Sequence, residues 1–252
     1  MTRERKLVIF TGAGISADSG ISTFRDKDGT WENHSIAQVC DILTWRANRE
    51  AVHAFYNARR SQLEGVEPNE AHRMIARLQA RFPEVTTVIT QNIDDLLERG
   101  GCTDVLHVHG SLLAMQCKAC GHEWPQGYAP WDPLTDRCRC NSLKGVKPAV
   151  VFFNEGAPRY RHMHRALDAL QDGDVLLVMG TSGQVIPIGV WAASMPAIAI
   201  LSNLKSDDRI SMPGAPVCED RQFDHVLHGR AEEKAAEIEA LVIRLMEAAP
   251  TD

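Results

Sequence analysis

A parallel, doubly wound α/β sheet with a small inserted module is the fold this chain predicts, on three observations. Apolar runs at 7–10, 86–90, 105–108, 149–153, 174–180 and 197–201 alternate with stretches of helical period. Strands that alternate with helices of about ten to fifteen residues build a parallel sheet covered on both faces. The first run hands over directly to Gly12-Ala13-Gly14-Ile15-Ser16, the turn by which a strand passes to a helix whose first free N–H groups face a phosphate. Between 115 and 147 the composition changes to Cys, Gly, Pro and Trp with little periodicity, which marks the insert.

Length and composition set the class. The chain has 252 residues, 44% hydrophobic and 24% charged, the profile of a globular enzyme with a full core. No run approaches the ~18 apolar residues of a membrane span, and the start MTRERKLVIF has too short an apolar segment for a signal peptide, so a cytoplasmic protein without membrane contact is expected. A net charge of −6 argues against nucleic acid as the main partner and suits a cationic substrate. In a reducing compartment the seven cysteines read as metal ligands or core residues rather than disulfides. Cys40, Cys102 and Cys218 have no partner at ligand spacing and read as small buried hydrophobes.

The elements follow in order. Gly12 and Gly14 let the backbone approach a phosphate, and Ala17 fills the third small position of a GxGxxA fingerprint. Residues 48–63 place Ala51, Val52, Phe55 and Leu63 on one helical face. Tyr56 and Arg59, three apart, share a face, which spacing alone reads as a core tyrosine and a solvent arginine. A second helix, 69–82, buries Ala71, Met74, Ile75, Leu78 and Phe82, and Pro83 stops it. The strand 86–90 delivers Gln91, Asn92 and Asp94 at its carboxyl end, where open α/β sheets bind ligands; Asn92 or Asp94 can also cap the next helix. The strand 105–108 ends at His109-Gly110. An imidazole there can take a proton at neutral pH, and His107, pointing the same way along the strand, is the natural decoy.

Cys117-x-x-Cys120 and Cys138-x-Cys140 suit tetrahedral Zn²⁺ in a module too short for a core of its own, with His122 as spare ligand. A closed site of four protein ligands is structural, not catalytic. The run 149–153 returns to buried-strand character, followed by a helix at 160–170. Strand 174–180 ends in Gly180-Thr181-Ser182 and strand 197–201 in Ser202-Asn203, small polar residues that can hold phosphate or ribose. A last helix, 231–247, carries Ala235, Ile238, Leu241, Val242 and Leu245 on one face. Residues 1–112 and 149–252 are thus expected to form a Rossmann-like domain and 113–148 the zinc-binding module, with a helical part of the small domain within 32–68.

The segments GAGIS, TFRD, Thr90-Gln91-Asn92-Ile93-Asp94, Val108-His109-Gly110 and Gly180-Thr181-Ser182 occur in this order, and with them the chain resembles the sirtuins, the NAD-dependent protein lysine deacylases, from about Lys6 to the region of Leu241. The resemblance implies that Gly12, Ala13, Gly14, Ile15, Ser16, Phe24, Arg25 and Trp31 hold NAD around its diphosphate and shield the reactive ribose. Gln91, Asn92, Ile93 and Asp94 would position the nicotinamide ribose and carboxamide, and Gly180, Thr181, Ser182, Asn203 and Ala231 (in HGRA) the adenosine half. It makes His109 the general base, with Asn92 also in the catalytic set. It further implies acyl-lysine proteins or peptides as substrates and a monomeric enzyme.

The implied chemistry consumes NAD. The amide oxygen of the acyl-lysine attacks the anomeric carbon, nicotinamide leaves, His109 deprotonates a ribose hydroxyl, and free lysine and O-acyl-ADP-ribose result. Tyr56-x-x-Arg59 resembles the desuccinylase-type (class III) members, in which the pair holds the carboxylate of an acidic acyl chain, as an arginine fork and a phenol donor can. Cys40 falls where that subclass keeps a small residue lining the acyl pocket. One departure is Phe152-Phe153-Asn154-Glu155, where the family commonly has Phe-Gly-Glu in the loop that pairs with substrate backbone. A mono-ADP-ribosyltransferase or NAD glycohydrolase would use the same pocket and histidine; a non-catalytic NAD-sensing module is disfavoured by the presence of His109, Asn92 and Asp94 together.

Overall fold

The structure, a computed structural model, describes residues 3–21, 30–31, 34–206 and 218–248, with the backbone alone at 30 and 31. In chain order it contains β1 (Leu7–Thr11), β2 (Thr30–Trp31), β3 (His34–Ser35), α1 (Ile36–Val39), α2 (Arg49–Glu64), α3 (Glu70–Arg81), β4 (Thr86–Thr90), α4 (Leu96–Arg99), β5 (Leu106–His107), β6 (Gly110–Cys117), β7 (Glu123–Pro125), β8 (Val146–Val150), α5 (Tyr160–Asp168), β9 (Val175–Met179), α6 (Ile188–Ala192), β10 (Ile198–Asn203), β11 (His225–His228) and α7 (Ala231–Glu247). No helix among the described residues is long and apolar enough to cross a membrane.

The main sheet has the order β11-β10-β9-β1-β4-β5, with every pairing parallel. Its strands are apolar at successive positions because both faces are covered. Leu7, Ile9, Val88, Leu177 and Ile200 pack against Ala71, Met74 and Leu78 of α3 and Ile238 and Val242 of α7. Val8, Phe10, Ile89, Leu176 and Val178 pack on the other face against Met163 and Leu167 of α5 and Ile188 of α6. From β1 the chain proceeds to β4 and β5 on one side, then returns to β9, β10 and β11 on the other. The switch of direction falls between β1 and β9, and a crevice opens at the carboxyl ends of strands that diverge in this way.

Two sequence expectations need correction. The run 149–153 was expected as another core strand. The strand there is β8, which starts earlier, at Val146, and pairs antiparallel with β6 in a separate three-stranded sheet of order β7-β6-β8. A short apolar run reports burial but not which sheet provides it; here Val146 is buried in the cysteine module and Val150 beneath the helical lobe. The segment from 115 onward also holds more regular structure than its composition suggests, since β6 runs into it to Cys117 and β7 follows. The edge strand β11 gave no clear apolar signal, as its first, second and fourth residues are not fully buried.

A second lobe forms around α2. Val52, Phe55, Tyr56 and Leu63 pack against Leu112 of β6 and Val150 and Phe152 beside β8. Arg60, next to the residue singled out by motif, is the fully buried arginine of this helix. Its Nε donates to the Leu112 carbonyl at 3.0 Å, one Nη to Asn57 Oδ1 at 2.7 Å, and the other lies 2.8 Å from Met115 Sδ. Burial lowers its pKa to about 10, which leaves it cationic at neutral pH, and its donors stitch helix to sheet. Arg60→Met preserves length but strands the Leu112 carbonyl, an unsatisfied buried group costing roughly 1–3 kcal/mol. Thermal unfolding should therefore fall by about 2–12 °C at ~2–4 °C per kcal/mol; an unchanged midpoint would show that desolvation cancels these bonds.

Candidate functional site

A cavity of about 810 Å³ lies over the carboxyl edge of the sheet at the β1/β9 switch point. It is lined by the turns after β1 (Gly12, Ala13, Gly14), β4 (Gln91, Asn92, Ile93, Asp94) and β9 (Gly180, Thr181, Ser182), with His109, Asn203 and Ala231. Ile36, Cys40 and residues 152–155 close it from the smaller lobe. These sequence-selected segments meet because parallel strands present all their carboxyl ends to one edge.

The turns after β1 and β9 touch backbone to backbone. Gly14 N–H donates to the Gly180 carbonyl at 2.8 Å. A Cβ on Gly14 would stand 2.6 Å from Gly180 Cα, and one on Gly180 2.5 Å from Ile15 N, with Gly180 at φ 62. Neither position admits a side chain. Gln91 Nε2 donates to Thr181 Oγ1 at 2.9 Å and Asn203 Nδ2 to the Thr181 carbonyl at 2.9 Å, so three strand ends are bound into one rim. The expected helix after Gly14 is replaced by two 3-10 turns, Ala13–Ile15 and Ala17–Ser19. A tertiary bond and a local one interrupt it: Asn69 Nδ2 donates to the Ile15 carbonyl at 2.8 Å, and Ile21 N–H turns back to the Ser16 carbonyl. Ala17, expected at the third small position, is exposed and opens the second turn.

Behind this rim Ser16, wholly buried, gathers the polar groups. Its Oγ donates to Asp94 Oδ2 at 3.1 Å, accepts from Asn92 Nδ2 at 3.1 Å, and lies 3.3 Å from His72 Nε2. His72 Nδ1 accepts from Asn69 N–H, and burial lowers its pKa to about 4, so it is neutral. Asp94 Oδ1 accepts from Leu96 N–H at 3.2 Å, satisfying a free N–H of α4 as expected, although the N-cap position itself is Asp95. Burial raises the Asp94 pKa to about 6 in spite of these bonds. Ser16 and Ile15 therefore support the cavity wall without lining it.

The two histidines separate by environment. His107 is buried, with Nδ1 2.9 Å from the Asn92 carbonyl and Nε2 2.6 Å from Glu98 Oε1. Burial opposes its charge, but Glu98 and the carbonyl prevail and its pKa rises; it does not line the cavity. His109 does. Its Nδ1–H donates to the Gln91 carbonyl at 3.0 Å, which fixes the tautomer and leaves Nε2 unprotonated, 2.9 Å from Tyr160 Oη. Burial lowers the His109 pKa. The adjoining Gly110 has φ 85, and a Cβ there would fall 2.0 Å from the Ala149 carbonyl. Only glycine lets β8 pass this close, and Val151 N–H donates to the His109 carbonyl at 2.8 Å.

The remaining expected residues divide. Phe24 and Arg25 lie outside the described residues, as does the side chain of Trp31. Tyr56 is wholly buried, 3.5 Å from Cys40 Sγ and stacked on Phe152 at 5.8 Å. The Arg59 guanidinium sits 5.2 Å over the Phe55 ring. Cys40 lines the cavity, whereas Tyr56 and Arg59 do not. Asn154 takes φ 62, the left-handed conformation that asparagine tolerates better than most residues, and its Nδ2 donates to Asp41 Oδ2 at 2.9 Å. Spacing missed Tyr160, Asp18 and Arg230, all of which line the cavity. Arg230 pairs with Asp18 at 2.9 Å, a contact across the whole chain that no local pattern announces. Ser202 Oγ also faces the cavity, buried and with no hydrogen-bond partner among the described residues.

The four cysteines of the insert converge. Their sulfurs all lie within 4.8 Å of one another, with Cys117 and Cys140 3.7 Å apart and Cys120 and Cys138 3.6 Å apart. His122 is not in this group and instead stacks on Trp124 at 5.3 Å.

Comparison with known proteins agrees with this arrangement. The Sir2 family profile matches residues 12–187. An NAD-dependent protein deacylase of Helicobacter hepaticus is 37% identical over 254 residues, covering 93% of this chain and 96% of its own, and one of Campylobacter jejuni is 42% identical, covering 81% and 84%. Among solved structures, a Sir2 homologue in complex with NAD superposes with a TM-score of 0.78 at 32% identity, covering 96% of this chain and 91% of its own. A mutant Sir2 homologue in complex with ADP-ribose gives 0.78 at 31%, covering 98% and 95%. With a strand-end glycine rim, a neutral histidine at its edge, a family match over more than half of the chain and a relative 37% identical along nearly all of it, the chain belongs to the Sir2 family.

Proposed function

We propose that this protein is an NAD-dependent protein-lysine deacylase that transfers an acyl group from lysine to ADP-ribose and releases nicotinamide. The observation that carries it is His109, a neutral imidazole whose unprotonated nitrogen, bonded to Tyr160 Oη, lies at a cavity rimmed by two glycine turns. The cavity fits the dinucleotide on its own terms. The rim at Gly12, Gly14 and Gly180 leaves no room for side chains, as close approach to a diphosphate requires. Ser202 Oγ is a buried hydroxyl without a hydrogen-bond partner among the described residues, in the region proposed for the adenosine half with Thr181, Ser182, Asn203 and Ala231. Gln91, Asn92, Ile93 and Asp94 would hold the nicotinamide ribose and carboxamide. NAD, when bound, supplies the ribose that accepts the acyl group and the nicotinamide leaving group.

His109 then takes a proton at Nε2 from a ribose hydroxyl, and the Gln91 carbonyl stabilises the imidazolium through Nδ1–H. Lysine amides of proteins or peptides would enter past residues 152–155. Phe153 N–H and carbonyl are already paired with Cys40 and Ile42, and Asn154 adopts the conformation that glycine ordinarily supplies, so this wall is held rigidly.

Two finer readings extend this one. The cysteine cluster would hold structural zinc: a tetrahedron with ~2.3 Å zinc–sulfur bonds has edges of roughly 3.8 Å, close to the 3.6 and 3.7 Å between sulfurs here. The Tyr56-x-x-Arg59 pair would favour succinyl-type acyl chains. Its support is the motif itself and the contact of Tyr56 with Cys40 in the cavity wall.

Four outcomes are expected. His109→Ala should bind NAD and fold as before while deacylation drops at least ~10²-fold, the usual worth of a positioned base; retention of more than about a tenth of turnover would remove His109 from that role. Because burial lowers its pKa, the imidazole remains a base below its ordinary value of ~6.5, so the acid limb of kcat/KM, which reports the free enzyme, should lie below that pH. Cys117→Ser or chelation should release zinc and reduce thermal stability, and metal analysis well under one zinc per chain in fresh protein would contradict the site. For selectivity, Arg59→Met should lower kcat/KM on a succinyl-lysine peptide by roughly tenfold to a hundredfold, a charge-assisted bond being worth ~1.5–3 kcal/mol, and leave the matched acetyl peptide nearly unchanged. Equal decline on both would make Arg59 structural.

A further inference from the structure

The hydroxyl of Tyr160 occupies the only nitrogen through which His109 can accept a proton. Nδ1–H is committed to the Gln91 carbonyl at 3.0 Å, so the contact of 2.9 Å between Nε2 and Tyr160 Oη must have the phenol as donor. Burial raises the Tyr160 pKa, which keeps that proton on the phenol. The two rings meet at 5.9 Å with their planes tilted by 46°, and both residues line the cavity.

The tyrosine is firmly placed. It opens α5, its ring packs against the core on that face of the sheet, and its N–H donates to the Ala157 carbonyl at 3.1 Å. The preceding Arg159 donates from its guanidinium to the His107 carbonyl at 3.2 Å, which ties the start of the helix to the strand that leads into His109. Imidazole and phenol are thus tied to each other directly and through the backbone that carries them. An imidazole held by Nδ1 alone can tip about its side-chain torsion, whose well is broad; bonds at both ring nitrogens define its plane.

We propose that Tyr160 is a positioning residue of the deacylation reaction, holding Nε2 of His109 toward the cavity until a ribose hydroxyl replaces the phenol there. This rests on the deacylase reading above. In the exchange the phenol keeps its own proton: the ribose O–H bond breaks, an N–H bond forms at Nε2, and the ribose oxygen becomes the nucleophile. Tyr160 thus acts through His109 and has no part in the departure of nicotinamide, which precedes the base step.

The test compares the unaltered protein with Tyr160→Phe, which keeps the ring and its packing. In cofactor-free protein labelled with ¹⁵N-histidine, the unprotonated nitrogen of His109 should shift on loss of its donor, with Nδ1 remaining the protonated one. With NAD and an acyl-lysine peptide, kcat for deacylation should fall roughly threefold to tenfold, the worth of one neutral hydrogen bond. Nicotinamide exchange and KM for NAD should stay within about twofold, being insensitive to a bond of that worth at the base. On a His109→Ala background the second substitution should have no further effect, since the two residues act as one unit. An unmoved nitrogen resonance, an unchanged kcat, or a parallel fall in exchange and deacylation would each overturn the inference while the deacylase reading stood. Absence of NAD-dependent deacylation by the unaltered enzyme would overturn that reading and the inference with it.

Discussion

Two backbone turns, one after β1 and one after β9, approach more closely than any side chain would allow, and the cavity exists because they do. Gly14 N–H bonds to the Gly180 carbonyl at 2.8 Å, and a methyl group on either residue would drive the turns apart. The sheet supplies the need for this contact. With β4 and β5 on one side of β1 and β9, β10 and β11 on the other, the connections diverge above the β1/β9 boundary. Thr181 then receives a bond from Gln91 after β4, reaching across β1, and accepts through its carbonyl from Asn203 after β10. Placement of a ligand along the rim is therefore a property of the topology, and the choice of glycine is what realises it.

Polar groups behind the rim are satisfied in sequence rather than in pairs. Asn69 caps α3 and binds the Ile15 carbonyl; its N–H sets the tautomer of His72, which reaches Ser16; Ser16 joins Asp94 and Asn92. In a low-dielectric interior such a chain is worth more than isolated bonds, and a missing member leaves the next one unpaired. The same logic separates the two histidines. Glu98 beside His107 favours its charge, whereas His109 meets a carbonyl and a phenol, both neutral, and loses proton affinity through burial. Proton affinity lowered at the cavity and raised behind it follow from one difference in neighbours.

The smaller lobe is coupled to the site through β6 and β8. Gly110 allows β8 to pass over His109, Val151 bonds the His109 carbonyl, and Phe152 continues into the core beneath α2. Lys147, buried at the start of this passage, bonds the Val150 carbonyl at 2.6 Å and pairs with Glu155 at 3.1 Å, and Glu155 in turn accepts from Phe152 N–H. The wall at 152–155 is held from below by this buried pair and from the side by Asp41 and Cys40. This wall is built from residues of the smaller lobe rather than of the glycine rim.

Sequence alone determined the elements whose signal is local. Helical period fixed α2, α3 and α7, apolar runs fixed β1, β4 and β9, and the paired cysteines announced their own convergence, because each pattern is set by what a single segment buries or binds. The segments GAGIS, QNID, His109 and GTS were likewise legible as strand ends. What only the tertiary structure decided was long-range: that Val146–Val150 belongs to an antiparallel sheet, that a tertiary bond to Ile15 helps break the helix after Gly14 into turns, and that Arg60 rather than Arg59 is the fully buried arginine of α2. Tyr160 and the Arg230–Asp18 pair reach the cavity from distant parts of the chain. Periodicity records the polarity of a face, but it carries no information about which other face meets it, and every one of these residues owes its role to that meeting.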